Sequence, residues 1–260
     1  MATVALSEEH YVYECGGGVA IRELVPVAAD DARKAFRERA EHDLTGWTVW
    51  ASSVILARFA EEQGQRLLGG SCVVDLGAGA GLGGLAVALC CSPTRVVLTD
   101  YNATTLGNLA HNAAANRVAC ASVALEVQAV DWDEPGSWPD TRGEHTCVVG
   151  ADLLYRRSYA RKVASVVQAL VSPGGCFVCA SPAHREGLPV LQGALLRAGW
   201  ACEQELQAPP EWRENPLRQQ GGADGDCGAQ REAQRDGLFP ELGFRSLAYP
   251  LLVQVWRRPS

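Results

Sequence analysis

Short apolar runs alternate with amphipathic segments through the middle of the chain. The apolar runs resemble buried strands, whereas the segments between them carry apolar residues at helical spacing. The predicted strands lie near residues 72–76, 95–99, 122–130, 146–150 and 176–180, and the predicted helices near residues 50–62, 82–91, 103–116, 157–171 and 187–198. This alternation predicts an α/β fold with a doubly wound, mostly parallel sheet.

The two ends of the chain have a different pattern. Residues 10–25 form two alternating runs around three consecutive glycines and therefore predict a β-hairpin. Residues 203–208 and 247–257 predict a C-terminal antiparallel hairpin, and the polar stretch 209–237 between them predicts a mobile insert. The expected division is an N-terminal extension over residues 1–44 and one domain over residues 45–260.

The composition is that of a globular protein with an acidic balance. Of the 260 residues, 47% are hydrophobic and 20% are charged, and the formal net charge is −7. This charge argues against nucleic acid as the main partner, because phosphate binding needs a basic surface. We also expect no membrane span and no secretory signal, since the chain shows neither a long apolar stretch nor a charged region followed by an apolar one at its start. The expected oligomeric state is a monomer.

Ten cysteines are scattered along the chain, and several lie in apolar runs. Because cysteine is among the most buried residue types, this distribution indicates reduced thiols in a core, and hence a cytoplasmic or also nuclear protein. Cys176 and Cys179 have CxxC spacing, but a strand would direct them to opposite faces of a sheet. No second Cys/His pair has zinc-like spacing, so we expect no metal site.

A glycine-rich turn joins the strand near residue 74 to the next helix. Asp75 opens this turn, and glycines follow at positions 77, 79, 81, 83 and 84. Glycines let a backbone approach a ligand closely with its amides facing it, although a tight turn without a ligand has the same pattern. Asp100 ends the next strand, where acidic residues bind ribose hydroxyls. The alternative role for Asp100 is a helix N-cap, which Asn102 fits equally well.

The third and fourth strand ends carry further candidates. Trp132 follows the third strand, where an indole can cover an adenine ring; a core aromatic is the alternative. Asp152 and Tyr155 follow the fourth strand in the string GADLLY. Ligands of open α/β sheets bind beyond the carboxyl ends of the strands, so these segments should converge on one crevice. A nicotinamide-dependent enzyme would share the glycine turn and the strand-end aspartate.

Five strings occur in order along the chain: GWTVW, DLGAGAGLGGLA, LTD, DW and GADLLY. Together they resemble the class I S-adenosylmethionine-dependent methyltransferases, and among these the lysine methyltransferase family (methyltransferase family 16). The resemblance covers roughly residues 45–180. It implies a seven-stranded Rossmann-like sheet, S-adenosylmethionine as the cofactor and a lysine of another protein as the methyl acceptor.

Carried over residue by residue, the resemblance implies two groups of site residues. The predicted cofactor-binding residues are Trp50, Asp75, Gly77, Ala78, Gly79, Asp100, Trp132 and Ala151. Asp152 and Tyr155 are predicted to shape the site of the target amine. Methyl transfer to nitrogen needs an aligned neutral amine more than a covalent catalyst, and Asp152 can orient a lysine ammonium and help it lose its proton. The alternatives are a helix cap for Asp152 and plain packing for Tyr155.

The sequence indicates the reaction more specifically than it indicates the substrate. The strings AYPLLV, ENP and LTDYN are similar to those of calmodulin-lysine methyltransferases, whereas AGLGGLA, DWD and ADLLY are closer to those of elongation-factor-2 lysine methyltransferases. The calmodulin enzymes tend to carry phenylalanine at the position of Tyr155. Three other hypotheses are a histidine or arginine methyltransferase of the same fold, a nucleic-acid methyltransferase and a catalytically silent cofactor-binding scaffold. Nucleic-acid enzymes have (D/N)PPY where this chain has DLLY.

A group of basic residues follows Tyr155 at the start of the next predicted helix. Its members are Arg156, Arg157, Arg161 and Lys162. Cations near a helix N-terminus oppose the helix dipole, and a broken local rule can mark a functional site. We therefore hypothesise that this patch recruits an acidic protein surface, such as that of calmodulin. A solvated charged face is the alternative.

Overall fold

The computed structural model of the chain describes residues 6–15, 17–26, 45–214, 216–217 and 249–260. Its strands are β1 (Leu6–Tyr13), β2 (Val19–Pro26), β3 (Cys72–Asp75), β4 (Arg95–Asp100), β5 (Ala124–Ala129), β6 (Thr146–Ala151), β7 (Cys176–Pro182), β8 (Ala201–Gln207) and β9 (Leu251–Arg257). Its α-helices are α1 (Ala51–Phe59), α2 (Gln65–Leu68), α3 (Leu82–Cys90), α4 (Ala103–Ala115), α5 (Tyr159–Leu170) and α6 (Leu188–Arg197). A π-helical turn, Ala60–Gly64, joins α1 to α2.

Seven of these strands form one sheet in the order β5-β4-β3-β6-β7-β9-β8. The pairs that join β5, β4, β3, β6 and β7 are parallel, whereas β9 is antiparallel to both of its neighbours. The chain builds outward from β3 in one direction and then returns to build in the other, which creates a switch point at the carboxyl edge beside β3. The predicted doubly wound, mostly parallel sheet with a C-terminal antiparallel pair is confirmed.

The sheet is covered on both faces because its central strands, β3, β6 and β7, are buried on both. Val73 and Val74 are adjacent in β3, and they point into two different core clusters. One cluster includes α1 and α3, and the other includes α5 and α6. Cys176 and Cys179 of β7 also lie in different clusters, as the spacing predicts. Within the described ranges, no helix has the length and apolar composition that a membrane span requires.

The N-terminal hairpin docks on α4 through side-chain amides, in addition to apolar residues of the core cluster that it shares with this helix. Asn116 bonds the N–H and the carbonyl of Ala20, and Asn112 does the same for Arg22, at distances of 2.7 to 3.0 Å. Asn112 also donates to the carbonyl of Ala80 at 2.9 Å. The hairpin is therefore connected through one buried asparagine to the glycine-rich turn.

Some of the predicted segments are only partly described. In the predicted insert, Pro210–Arg213 form a helical turn, and Trp212 is buried against Phe59 with ring centroids 6.3 Å apart. The rest of the insert, residues 218–237, lies outside the described residues, as do Gly16 of the hairpin turn and residues 27–44 of the N-terminal extension.

Candidate active site

A cleft of about 700 Å³ opens at the carboxyl ends of the parallel strands. The loops after β3, β4, β5, β6 and β7 line it, together with the segment before α1. Its volume is within the range of small-molecule sites, which is roughly 300 to 1,000 Å³. Nine predicted site residues line this cleft: Trp50, Gly77, Ala78, Gly79, Asp100, Trp132, Ala151, Asp152 and Tyr155.

The glycine-rich turn needs glycine at the positions nearest the cleft. Gly77 and Gly79 have φ values of +64° and +57°, a left-handed conformation that side chains disfavour. A Cβ atom on Gly77 would also lie 3.0 Å from Leu153 and 3.3 Å from the Trp132 ring. The turn is tied to the end of β4, where the Gly79 N–H donates to Asp100 Oδ2 at 3.2 Å.

Asp75 is the one predicted site residue that does not line the cleft. Its side chain is buried and accepts a hydrogen bond from the Gly84 N–H, at the start of α3, at 2.8 Å. The pKa of Asp75 is raised to about 7, mainly by burial; the Gly84 hydrogen bond lowers it in part, and the nearby charge of Asp100 adds to the rise. In this structure, Asp75 holds the glycine turn against α3, and a direct cofactor contact by Asp75 stays a prediction.

The raised pKa of Asp75 predicts a pH-dependent stability. Its carboxyl binds a proton more tightly in the folded chain than in the unfolded one, where the reference pKa is 3.8. The contribution of the protonated Asp75 to the free energy of unfolding is therefore complete below about pH 4 and is lost as the pH rises through about 7. Asp75→Asn cannot lose a proton, so its free energy of unfolding should fall less than that of the wild type between pH 5 and 7, by roughly 2 kcal/mol. Urea unfolding at both pH values measures this difference, and parallel pH dependences would contradict the assignment.

Asp100 lies in the cleft at the end of β4, and the helix cap is a different residue. Asn102 caps α4 by accepting from the N–H groups of Thr104 and Thr105 at 3.0 Å each. Asp100 instead accepts from Gly79 and, at 2.8 Å, from the Tyr101 N–H. These bonds orient its carboxylate at the cleft edge, where the sequence predicts a ribose contact.

Asp100→Ala should weaken the binding of S-adenosylmethionine by roughly 10- to 150-fold, because a hydrogen bond from a hydroxyl to a carboxylate is worth roughly 1.5 to 3 kcal/mol. Calorimetry on folded protein measures the affinity. A cofactor analogue that lacks the ribose hydroxyls is the matched control, since its affinity should change much less. An equal loss for both ligands would show that Asp100 acts only through the glycine turn.

An aromatic chain forms the wall of the cleft between β5 and α5. The Tyr159 ring meets the Trp132 ring edge to face at 5.4 Å and the Tyr155 ring at 5.2 Å. Trp132 is partly exposed, as a surface for a planar ligand requires. Tyr159 lines the cleft but was not among the predicted site residues. No helical spacing indicates this contact, because residues 155–158 form a turn and the helix begins only at Tyr159.

The segment before α1 closes the cleft on another side. The Trp50 indole N–H donates to the Thr45 carbonyl at 2.6 Å. Gly46, in the same segment, lies so close to Gly79 that a Cβ atom on Gly79 would be 3.4 Å from the Gly46 Cα. The GWTVW string therefore places its backbone directly against the glycine turn.

Asp152 and Tyr155 lie in the turn between β6 and α5. Because α5 begins at Tyr159, with Ser158 before it, Asp152 is not the cap of this helix, and the helix starts two residues later than predicted. Asp152 has a φ of +53°, an uncommon value for a residue other than glycine. Its carboxylate forms a salt bridge with Arg185, a cleft residue from the turn after β7. No sequence pattern indicates this pair.

The geometry of the cleft fits S-adenosylmethionine. Gly77 and Gly79, with their left-handed backbone, have no side chain between the turn and the cleft. Asp100 presents an acceptor for hydroxyl groups, and Trp132 presents an aromatic face. Gly77, Ala78, Gly79, Asp100 and Trp132 would hold the cofactor, and Trp50 and Ala151 would border it.

Similar solved structures share this architecture. Geranyl diphosphate C-methyltransferase from Streptomyces coelicolor has a TM-score of 0.53 at 12% identity, over 97% of this chain and 92% of that chain. TYW2 from Pyrococcus horikoshii has a TM-score of 0.51 at 12% identity, over 100% of this chain and 74% of that chain. These likenesses show that the chain has the fold of these proteins.

The family follows from the sequence comparison. A family model described as Lysine methyltransferase (Methyltransf_16) matches residues 30–187, more than half of the chain. The chain belongs to this lysine methyltransferase family. The membership confirms the family that the five strings resembled, and with it the class of S-adenosylmethionine-dependent methyltransferases.

Curated relatives match over part of their length. Protein-lysine N-methyltransferase EEF2KMT of Mus musculus is 30% identical over 44% of this chain and 36% of its own length. Calmodulin-lysine N-methyltransferase of Arabidopsis thaliana is 24% identical over 47% of this chain and 40% of its own length. Protein N-terminal and lysine N-methyltransferase EFM7 of Yarrowia lipolytica is 29% identical over 68% of this chain and 74% of its own length. The chain thus spans less than half the length of the first two relatives.

Proposed function

We propose that this chain is an S-adenosylmethionine-dependent protein-lysine N-methyltransferase that acts on a specific protein partner. The first candidates for the partner are calmodulin and a translation elongation factor, because the relatives that carry these substrates in their names match the chain. The observation that carries the proposal is the position of Asp152 and Tyr155. Both lie in the same cleft as the glycine turn and Asp100, beyond the carboxyl end of the strand next to β3.

One group of residues in the cleft binds the cofactor, and another group binds the acceptor amine. S-adenosylmethionine, when bound, supplies a methyl group whose carbon–sulfur bond breaks, with its electron pair left on sulfur, as the lone pair of the amine forms the new nitrogen–carbon bond. Asp100 and the glycine turn fix the cofactor at one end. Asp152 accepts a hydrogen bond from the target amine, and the Tyr155 ring bounds the path by which the amine enters. Holding the two reactants in line is the main catalytic contribution of such a site.

Labelling of a cell extract tests this proposal. An extract from cells that lack the enzyme is incubated with the chain and with S-adenosylmethionine that carries a labelled methyl group. We expect one or a few labelled proteins, and mass spectrometry should place the label on a lysine. The matched control is Asp152→Asn, which should label nothing. A label on arginine, histidine or nucleic acid would contradict the proposed acceptor, and an absence of labelling in all extracts would favour a silent scaffold.

The α-amine of a protein N-terminus is a second candidate acceptor. The relative from Yarrowia lipolytica is named as both an N-terminal and a lysine methyltransferase, and the match extends over 68% of this chain. An α-amine has a pKa near 8 and is partly neutral at physiological pH, so it suits a reaction that needs a lone pair. The same mass spectra distinguish this acceptor from lysine.

The basic residues beside the active site provide a candidate docking surface. Arg156, Arg157 and Arg161 are exposed, the first two just before α5 and the third in its first turn. Lys162 is half-buried instead, and it forms a salt bridge with Asp133 that raises the pKa of the lysine. We define the basic patch as the three arginines, and we propose that it recruits an acidic surface of the protein substrate.

Reversing the basic patch should weaken substrate recruitment. We expect the triple variant Arg156→Glu, Arg157→Glu and Arg161→Glu to raise the KM for the labelled protein by about tenfold at low salt and less at high salt, because electrostatic steering is screened by ions. Cofactor affinity should stay unchanged. The matched control reverses three exposed arginines on other parts of the surface: Arg66, Arg117 and Arg197. Equal KM values for the two triple variants would show that net charge, and not the patch, matters.

A further inference from the structure

The salt bridge between Asp152 and Arg185 is built on two fixed backbones. Arg185 donates from Nε to Oδ1 at 2.8 Å and from Nη2 to Oδ2 at 2.7 Å, so both carboxylate oxygens are engaged. Such bidentate pairs are among the strongest charge-assisted hydrogen bonds. The Asp152 side chain is 11% exposed and the Arg185 side chain is 25% exposed, so bulk water screens the pair only in part.

The backbones on both sides hold the pair in place. The Asp152 N–H donates to the Ala180 carbonyl of β7 at 2.9 Å. The Arg185 N–H donates to the Pro182 carbonyl at 3.2 Å, and the Arg185 carbonyl accepts from Leu188, at the start of α6, at 2.9 Å. The pair therefore joins the ends of two neighbouring parallel strands, and neither partner is on a free surface segment.

The charge of this pair matters for the reaction. A carboxylate without a counter-charge raises the pKa of a nearby amine by about one to three units, because it stabilises the ammonium form. An ammonium nitrogen has no lone pair and cannot accept a methyl group. Asp152 alone would therefore bind the unreactive form of a lysine.

We propose that Arg185 is a positioning residue that keeps the Asp152 carboxylate paired, so that the amine site is electroneutral and selects the neutral form of the acceptor amine. This inference rests on the proposed function, whose acceptor is an amine at Asp152. The paired carboxylate still accepts a hydrogen bond from a neutral N–H, since each oxygen has a second lone pair. A partly exposed guanidinium beside the amine further disfavours the ammonium.

Other charged and titratable groups line the cleft besides this pair. The remaining charged or titratable residues that line the cleft are Asp100, Asp131, Asp133, Lys162 and His184, with the phenols of Tyr101, Tyr155, Tyr159 and Tyr249. Lys162 is compensated by Asp133, and the His184 ring lies 4.1 Å from the Tyr249 ring. Burial, with the charge of Asp152, raises the pKa of the Cys179 thiol to about 12, so this thiol is neutral in the working pH range.

A binding experiment tests the charge of the site without a known protein substrate. The ligand is n-butylamine, which has the primary amine of a lysine side chain and a pKa close to that of lysine, about 10.4. Its affinity for the chain saturated with S-adenosylhomocysteine is measured by NMR titration at pH 7.5 and pH 10. The wild type should bind n-butylamine more tightly at pH 10, where more of it is neutral.

Three variants separate charge from shape. Arg185→Gln and Arg185→Ala remove the cation, and we expect both to bind n-butylamine at pH 7.5 at least about tenfold more tightly than the wild type, with no gain at pH 10. Arg185→Lys retains a positive charge and should keep the wild-type pH dependence. Thermal midpoints and S-adenosylhomocysteine affinities identify any variant that fails to fold, and Arg185→Gln then replaces Arg185→Ala.

Two results would overturn the inference. Wild-type binding that is tighter at pH 7.5 than at pH 10 would show that the site already selects the ammonium. Equal gains for Arg185→Gln at both pH values would show that Arg185 only blocks the site sterically.

A kinetic experiment complements the binding experiment and uses as its substrate the protein labelled in the extract. In Arg185→Gln the acidic limb of the kcat–pH profile should move up by about one to three units without a rise in KM. A uniform loss of kcat at all pH values would indicate a structural role and overturn the inference. If the wild type labels no amine at all, the proposed function fails, but the n-butylamine titration still measures the charge of the site.

Discussion

Asp152→Ala should reduce methyl transfer at least about 100-fold while cofactor binding stays within a few-fold of the wild type. The physical reason is twofold. The acceptor amine loses the oxygen that aligns it, and misalignment of reacting groups can by itself cost roughly 100-fold in rate. The substitution also leaves the Arg185 guanidinium without its carboxylate, so that a lone cation faces the site of the amine. Single-turnover transfer to the labelled protein measures the rate of methyl transfer, and calorimetry measures cofactor affinity.

The control for this prediction has to match the backbone of Asp152. Its φ of +53° is better tolerated by asparagine than by alanine, so Asp152→Asn removes the charge with little added strain. We expect both variants to lose transfer, with a thermal midpoint closer to the wild-type value for Asp152→Asn. If both variants keep their activity while the thermal midpoint falls, Asp152 has a structural role and the assigned chemistry is wrong.

The order of strands and helices could be predicted because each element repeats with its own period. The strand around Val73 and Val74 is apolar at consecutive positions, as a strand buried on both faces requires, and the glycine turn marks where it ends. Once the strands are parallel, their carboxyl ends share one edge of the sheet. This is why residues as distant in sequence as Trp50, Asp100 and Asp152 could be assigned to one cleft from the sequence.

Arg185 could not be predicted because no local pattern identifies its partner. It lies 33 residues after Asp152, in a turn whose only sequence feature is polarity. The pair exists because β6 and β7 are neighbours in the sheet and because both turns bend toward the same edge. The start of α5 was missed for a related reason. The basic residues after Tyr155 are compatible with a helix, but the chain first completes the turn that places Asp152 in a left-handed conformation.

The docking of the N-terminal hairpin was also missed, although a signal for it is present. Asn108, Asn112 and Asn116 recur every four residues and therefore lie on one face of α4. Sequence-based prediction expects an apolar face on a helix that packs against a sheet, so three amides in its place suggest solvent exposure. They are buried instead because they replace the backbone partners that one edge of β2 would otherwise lack.

Complete loss of cofactor binding is expected for Gly79→Arg. The Gly79 backbone is left-handed at φ +57°, its N–H bonds Asp100, and a Cβ atom would already lie 3.4 Å from Gly46. An arginine side chain cannot remain between these two backbone segments and must extend into the cleft, where it occupies the volume of the cofactor and brings a second positive charge beside a sulfonium. We expect the Kd for S-adenosylmethionine to rise beyond measurement, on the order of 100-fold or more, if two or more charge-assisted contacts are lost.

Strain alone has to be excluded as the cause of this loss, and Gly70→Arg provides the matched control. Gly70 has a φ of +70°, similar to that of Gly79, but no atom lies within 4 Å of the Cβ that the substitution would add. Both variants therefore incur the cost of a left-handed arginine, roughly 1 kcal/mol, in the free energy of unfolding. Only Gly79→Arg should lose the cofactor. Retention of S-adenosylmethionine by a folded Gly79→Arg chain would mean that the cofactor does not lie against the glycine turn, and the assignments of Asp100 and Trp132 would fall with it, because both depend on that position.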